Sequence, residues 1–149
     1  MHRVADVRRL RGSNAMPQFN EARLRRTLLR AGIEYLPIQE LSGRRPKQAD
    51  PWPRNCWRNR SFANYADFMR TPEFREGVRM LLAAARGVNL GVMCAEAVPW
   101  RCHRSLIADY LVVEKHRRVT EIVGTRARPH QLTACARIVR GKLTYSAPP

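Results

Sequence analysis

A chain of 149 residues, 44% of them hydrophobic, is long enough to bury a core without disulfide staples and too apolar to stay disordered. Its 28 Lys and Arg against 12 Asp and Glu give a net charge of +16, and all of those cations except Lys47, Lys115 and Lys142 are arginine. No apolar run approaches the ~20 residues that cross a bilayer, and the opening MHRVADVRRLRGSN lacks the apolar stretch of a secretory signal. These absences predict a cytoplasmic protein with reduced thiols and no membrane partner. The arginines are spread along the chain rather than blocked in one tail. Two readings of the charge therefore stand, a polyanionic partner such as nucleic acid or an arginine-rich genome composition.

In chain order, residues 4–7 (VADV) predict a short buried strand, followed by a polar turn containing Gly12 and Pro17. Asn20 is placed to cap a helix over 21–30 that ends at Gly32, with Leu24, Leu28 and Ala31 on its buried face. Residues 33–38 predict a second strand. Residues 40–60 carry several prolines and cations with Trp52 and Trp57 but no periodicity, the composition of a long loop. A loop of that length in a small domain is more often a lid or binding loop than filler. A short helix over 61–69 would turn Phe62, Tyr65 and Phe68 inward. Thr71 and Pro72 then start a helix that runs to about residue 86.

Residues 88–93 (VNLGVM) predict a strand buried on both faces. A helix over 99–115 and a strand over 119–123 follow, a strand–helix–strand unit long enough for a parallel crossover. A short helix near 132–136 and a last strand near 142–145 complete the chain. The alternation predicts one α/β domain over 1–149, a three-layer arrangement with a mainly parallel sheet flanked by helices, and a ligand site beyond the carboxyl ends of the strands.

That edge holds the densest chemistry in the chain. Residues 92–111, VMCAEAVPWRCHRSLIADYL, place Cys94 and Glu96 after a strand and Cys102, His103 and Arg104 in the first turn of the next helix. A thiol at a helix start between Arg101 and Arg104 is expected to be partly thiolate. In this reading Cys102 is the nucleophile, His103 shuttles the proton, Arg104 clamps an anion, and Glu96 orients the histidine or acts as base. A second reading makes Cys94, Cys102, His103 and Glu96 a metal site, but C-x7-C-H matches no zinc spacing, so no metal and no cofactor are expected. A third makes the cysteines core residues, since Cys102, Leu106 and Tyr110 share a helical face. A Cys-x5-Arg phosphatase loop is excluded, because the first arginine after Cys94 is Arg101 and Pro99 and Trp100 replace the glycine-rich cradle. Asp6 and Arg8 end the first strand, either as supporting substrate contacts or as a local ion pair on the rim. Arg44 and Arg45, with Trp52 and Trp57, are candidates for a basic aromatic lid.

The blocks VADVRR, PQFN, AGIEYLPIQELSGRR, WRNRSFANYADFM, MCAEAVPWRCHRSLIADYL and PHQLT resemble, in the same order, those of the family called domain of unknown function 488. The resemblance implies an α/β fold with a parallel sheet and a candidate site, but no reaction. Members usually carry a strand and helix ahead of the DVR strand, so the domain is expected to be truncated at its start, leaving residues 4–7 at a sheet edge. Ser42 stands where the family tends to have glycine. The function expected is that of an enzyme or ligand-binding protein whose Cys/Glu/His/Arg pocket takes a small anionic substrate or nucleic acid. The alternative is a non-catalytic nucleic-acid-binding module that uses its arginines alone.

Overall fold

The computed structural model describes residues 1–149, which form an α/β fold of four helices and seven strands. The chain divides into two compact units, residues 1–43 with 71–95, and residues 44–70 with 96–149. In the first unit, strand β1 (Arg3–Asp6) pairs in parallel with β2 (Glu34–Pro37) on one side and β3 (Leu90–Met93) on the other. β1 is thus the central strand, not an edge. Val4, Ala5 and Val7 are buried. β3, expected to be buried on both faces, is half-exposed along its length because it forms an edge of this three-stranded sheet.

Helix α1 (Glu21–Arg30) occupies the expected residues. Asn20 precedes it without capping it through its side chain; its Oδ1 instead accepts the Ser13 N–H at 2.6 Å and closes the preceding turn. Of the predicted face only Leu24 is buried. Further on, Thr71 caps helix α3 (Pro72–Ala84) by accepting the Phe74 N–H on its hydroxyl at 3.3 Å, and Pro72 occupies a first-turn position where no N–H is needed. Gly77 of this helix lies against Leu41, and a Cβ added there would meet the Leu41 side chain at 2.8 Å.

In the second unit, helix α2 (Arg60–Phe68) is capped by Asn59, whose Oδ1 accepts the Phe62 N–H at 3.2 Å, and it buries Tyr65 and Phe68. Helix α4 (Arg104–Lys115) buries Leu106, Ile107 and Leu111. The strand after α4 does not return to the parallel sheet. β4 (Thr120–Val123) folds antiparallel onto β5 (Arg126–Pro129), and β6 (Arg137–Val139) folds onto β7 (Lys142–Thr144) as a second hairpin. Gly124 at φ 61° and Gly141 at φ 77° supply the left-handed turns that make these tight reversals possible. Residues 134–135, expected in a short helix, form a turn. No helix is long and apolar enough to cross a membrane.

The region 40–60 is pinned rather than loose where it enters this unit. Trp52 donates its indole N–H to the Ala66 carbonyl at 3.0 Å, and Asp67 Oδ1 accepts from the Trp52 N–H and from Asn55 Nδ2, both at 2.8 Å. Trp57 packs against Phe62 and Tyr145, with ring centroids 5.2 and 5.9 Å away. Both tryptophans thus fasten the loop to its own unit, and a lid built on them is not what these contacts make.

Candidate functional site

Cys102 and His103 lie just before α4, not in its first turn. A 3-10 turn over Pro99–Arg101 ends on Cys102 in extended conformation, and His103 occupies the position that precedes Arg104. The thiol nevertheless remains at the helix start. Cys102 Sγ is approached by the Arg104 backbone N–H at 3.5 Å and by Arg104 Nε at 3.3 Å, and His103 Nδ1 lies 3.6 Å from it. The Cys102 carbonyl in turn accepts from the Ser105 N–H at 3.0 Å and from its hydroxyl at 2.9 Å. Cys102 and Ser105 are buried, while His103 and Arg104 are half-buried. The His103 ring sits 4.8 Å from that of Tyr65, and its Nε2 is shielded from solvent without a hydrogen-bond partner.

Glu96 reaches this group through its main chain. Its carbonyl accepts from Arg104 Nη2, while its carboxylate accepts the Val98 N–H at 3.3 Å. The expected partnership between the Glu96 carboxylate and His103 is replaced by a turn that uses the carboxylate on its own backbone. Arg101 is exposed. Arg44 is exposed and adopts a left-handed backbone conformation, φ 55°, and the Arg45 guanidinium lies 3.9 Å from the centroid of the Phe68 ring. Cys94 follows β3 in the other unit and is half-buried.

Asp6 and Arg8 meet in the interior, not on a rim. Arg8 donates from Nε and Nη2 to the Asp6 carboxylate at 3.0 and 2.7 Å, and from Nη1 to the Phe19 carbonyl at 2.8 Å. Tyr35 donates its hydroxyl to Asp6 Oδ2 at 2.5 Å. Burial opposes ionisation of Asp6, but the hydrogen bonds from Arg8 and Tyr35 prevail and hold its pKa below the ordinary aspartate value. Burial and the Asp6 charge push the Tyr35 hydroxyl up to about 12, so it remains a donor at neutral pH. The pair satisfies itself, and its position fits a buried brace better than a substrate contact.

A second buried carboxylate escaped sequence reasoning. Asp109 Oδ1 accepts from His130 Nε2 at 2.8 Å and from the Thr133 N–H at 3.0 Å, and its Oδ2 accepts from the Thr133 and Tyr145 hydroxyls at 2.6 and 2.8 Å. His130 Nδ1 meets Glu121 Oε1 at 2.7 Å, and Arg128 Nε donates to Glu121 Oε2 at 2.9 Å. Burial disfavours a charged His130, yet its position between two carboxylates outweighs this and raises its pKa above the ordinary value of 6.5. Burial and the Asp109 charge likewise hold Tyr145 protonated. The one advance sign was an aspartate on the otherwise apolar face of α4, where a charge is not buried without partners.

The same unit holds a disulfide between Cys56 and Cys135, whose Cα atoms are 5.8 Å apart. This overturns the expectation that all four thiols are free; a separation of 79 residues left no spacing pattern to reveal it. Nearby, Cys56 N–H donates to the Tyr145 carbonyl and Ala147 N–H to the Arg54 carbonyl, both at 2.8 Å, in a short antiparallel contact.

A parallel sheet bordered by helices, with a cysteine–histidine–arginine group at a helix start, defines a class of α/β protein without specifying its reaction. The family model for the domain of unknown function DUF488 matches residues 1–111, and the chain belongs to that family. The match ends within α4, so the block at 129–133 that resembles the family lies beyond it. No curated protein and no solved structure matches the chain.

Proposed function

We propose that the second unit carries a thiolate site for a small anionic ligand, with Cys102 as its nucleophile. The observation that carries this reading is the set of donors around one sulfur, the backbone N–H and Nε of Arg104 at 3.5 and 3.3 Å. Both stabilise the anion more than the thiol, and the positive end of α4 adds to them. Engaged in this way, Arg104 acts as the charge partner of the sulfur, and the role of receiving a ligand anion passes to exposed Arg101. His103 is close enough to take up the Cys102 proton through Nδ1. Glu96 supports the site by holding Arg104 with its carbonyl.

The experiment is a titration of the thiolate ultraviolet absorbance in a Cys94→Ser background, where Cys102 is the one unbridged thiol. An apparent pKa well below the free value of about 8.5 is expected, and Arg104→Met should raise it. A pKa at or above the free value would make Cys102 a core residue and remove the nucleophile. Absorbance reads the buried sulfur without requiring a reagent to reach it.

A further inference from the structure

The second unit contains 17 Lys and Arg against six Asp and Glu, so it holds +11 of the net charge. Its acids are already committed. Asp67 and Asp109 are buried in hydrogen-bond networks, Asp50 pairs with Arg70, Glu114 with Lys142 and Glu121 with Arg128, and Glu96 caps its own turn. The positive potential of this unit is therefore poorly offset by its own carboxylates.

Within it, Trp100 is 56% exposed, a large indole that contributes little to the core. The Arg128 guanidinium lies over its ring, 5.3 Å from the centroid, and that arginine is held in place by Glu121. One ring face is thus backed by a fixed cation while much of the indole remains in water. Arg101 is adjacent in sequence and exposed. Arg126 lies two residues from Arg128 on β5, on the same side of the strand, and is also exposed.

We propose that this surface binds single-stranded nucleic acid. A base stacks on the Trp100 face opposite Arg128, and flanking phosphates meet Arg101 and Arg126. Single strands fit better than duplexes because only unpaired bases offer their faces to an aromatic platform. Arginine forks match phosphate oxygens, and the excess positive charge of the unit draws the strand in. This inference goes beyond the thiolate site and does not depend on it.

The test uses the full chain, a fluorescently labelled oligothymidylate, and a duplex of equal length. The expected result is binding that prefers the single strand, quenches tryptophan emission and weakens with salt. Trp100→Ala should weaken it about tenfold or more. Arg101→Ala and Arg126→Ala should each lower the salt slope by about one, and Arg23→Ala on the other unit should leave binding unchanged. Equal affinity of Trp100→Ala and the parent protein, preference for the duplex, or no measurable binding would each overturn the proposal. Cys102→Ser should bind as the parent does, so that failure here and failure of the thiolate site are separately visible.

Discussion

Asp6 in the first unit and Asp109 in the second are both wholly buried carboxylates, but they are satisfied in opposite ways. Asp6 leans on one dominant cation two residues away, which grips it through Nε and Nη2, with further bonds from the Arg8 backbone N–H and the Tyr35 hydroxyl. Asp109 spreads its four acceptor positions over His130, Thr133 and Tyr145, which are 21, 24 and 36 residues distant. Concentrated pairing makes a brace that one substitution can break. Distributed pairing makes a network that gathers α4, the segment after β5 and the chain after β7, and tolerates the loss of one member better.

The sharpest way to break this contrast is to remove the single strong partner. Arg8→Met should cost about 3–5 kcal/mol in urea unfolding, because it leaves the Asp6 charge buried without its cation. The second-largest effect should come from opening the Cys56–Cys135 bridge. Cys56→Ser, or reduction of the parent protein, should cost about 2–4 kcal/mol, since the closed loop is long. A protein whose unfolding midpoint ignores reductant would show that the bridge contributes nothing. His130→Phe should cost less than Arg8→Met, about 1–3 kcal/mol, because Thr133 and Tyr145 still donate to Asp109. Equal losses for the two variants would erase the distinction between concentrated and distributed pairing.

Proton linkage sharpens the same contrast with opposite signs. The folded-state pKa of His130 is raised, so the native protein holds that proton more tightly than the unfolded chain. Its contribution is fully present below the ordinary value of 6.5 and is lost as pH rises through the higher folded value. Asp6 is lowered, so its contribution is present above 3.8 and is lost as pH falls through the lower folded value. Melting temperature followed over pH should therefore show an alkaline-side loss absent in His130→Phe and an acid-side loss reduced in Arg8→Met. The smallest effect tests local structure alone. Thr71→Ala should cost about 1 kcal/mol, the usual value of a helix cap.

Local signals carried much of the first unit and the helices of the second. Thr71 and Pro72 mark a helix start because their preferences act within one turn, and α1, α2 and α3 fall close to the expected residues. The strand character of residues 4–7, 33–38 and 88–93 was legible in the same way. Their order was not. β1 sits between β2 and β3 because parallel strands meet through crossovers, and a strand's own residues do not specify which neighbours it finds. The strand expected after α4 was correctly placed but assigned the wrong partner, since Gly124 and the residues after it allow a local hairpin that forms in preference to a distant parallel pairing.

The candidate site divides along the same line. The collection of Cys102, His103 and Arg104 at a helix start was visible as spacing, because residues that close in sequence cannot lie far apart. That Glu96 would offer its carbonyl rather than its carboxylate was not visible, because the choice depends on the turn over residues 96–98. By itself the sequence determined helices α1 to α3, the strand-forming segments of the parallel sheet, the excess of positive charge and the neighbourhood of one thiol, but neither β5 nor β6. Only the tertiary structure decided the strand order, the Cys56–Cys135 bridge, the Asp109 network and the exposure of Trp100 beside Arg128. The physical reason is range. Propensity, capping and charge act between residues a few positions apart, whereas a buried carboxylate or a disulfide is completed by whatever partner the folded chain brings within about 3 Å.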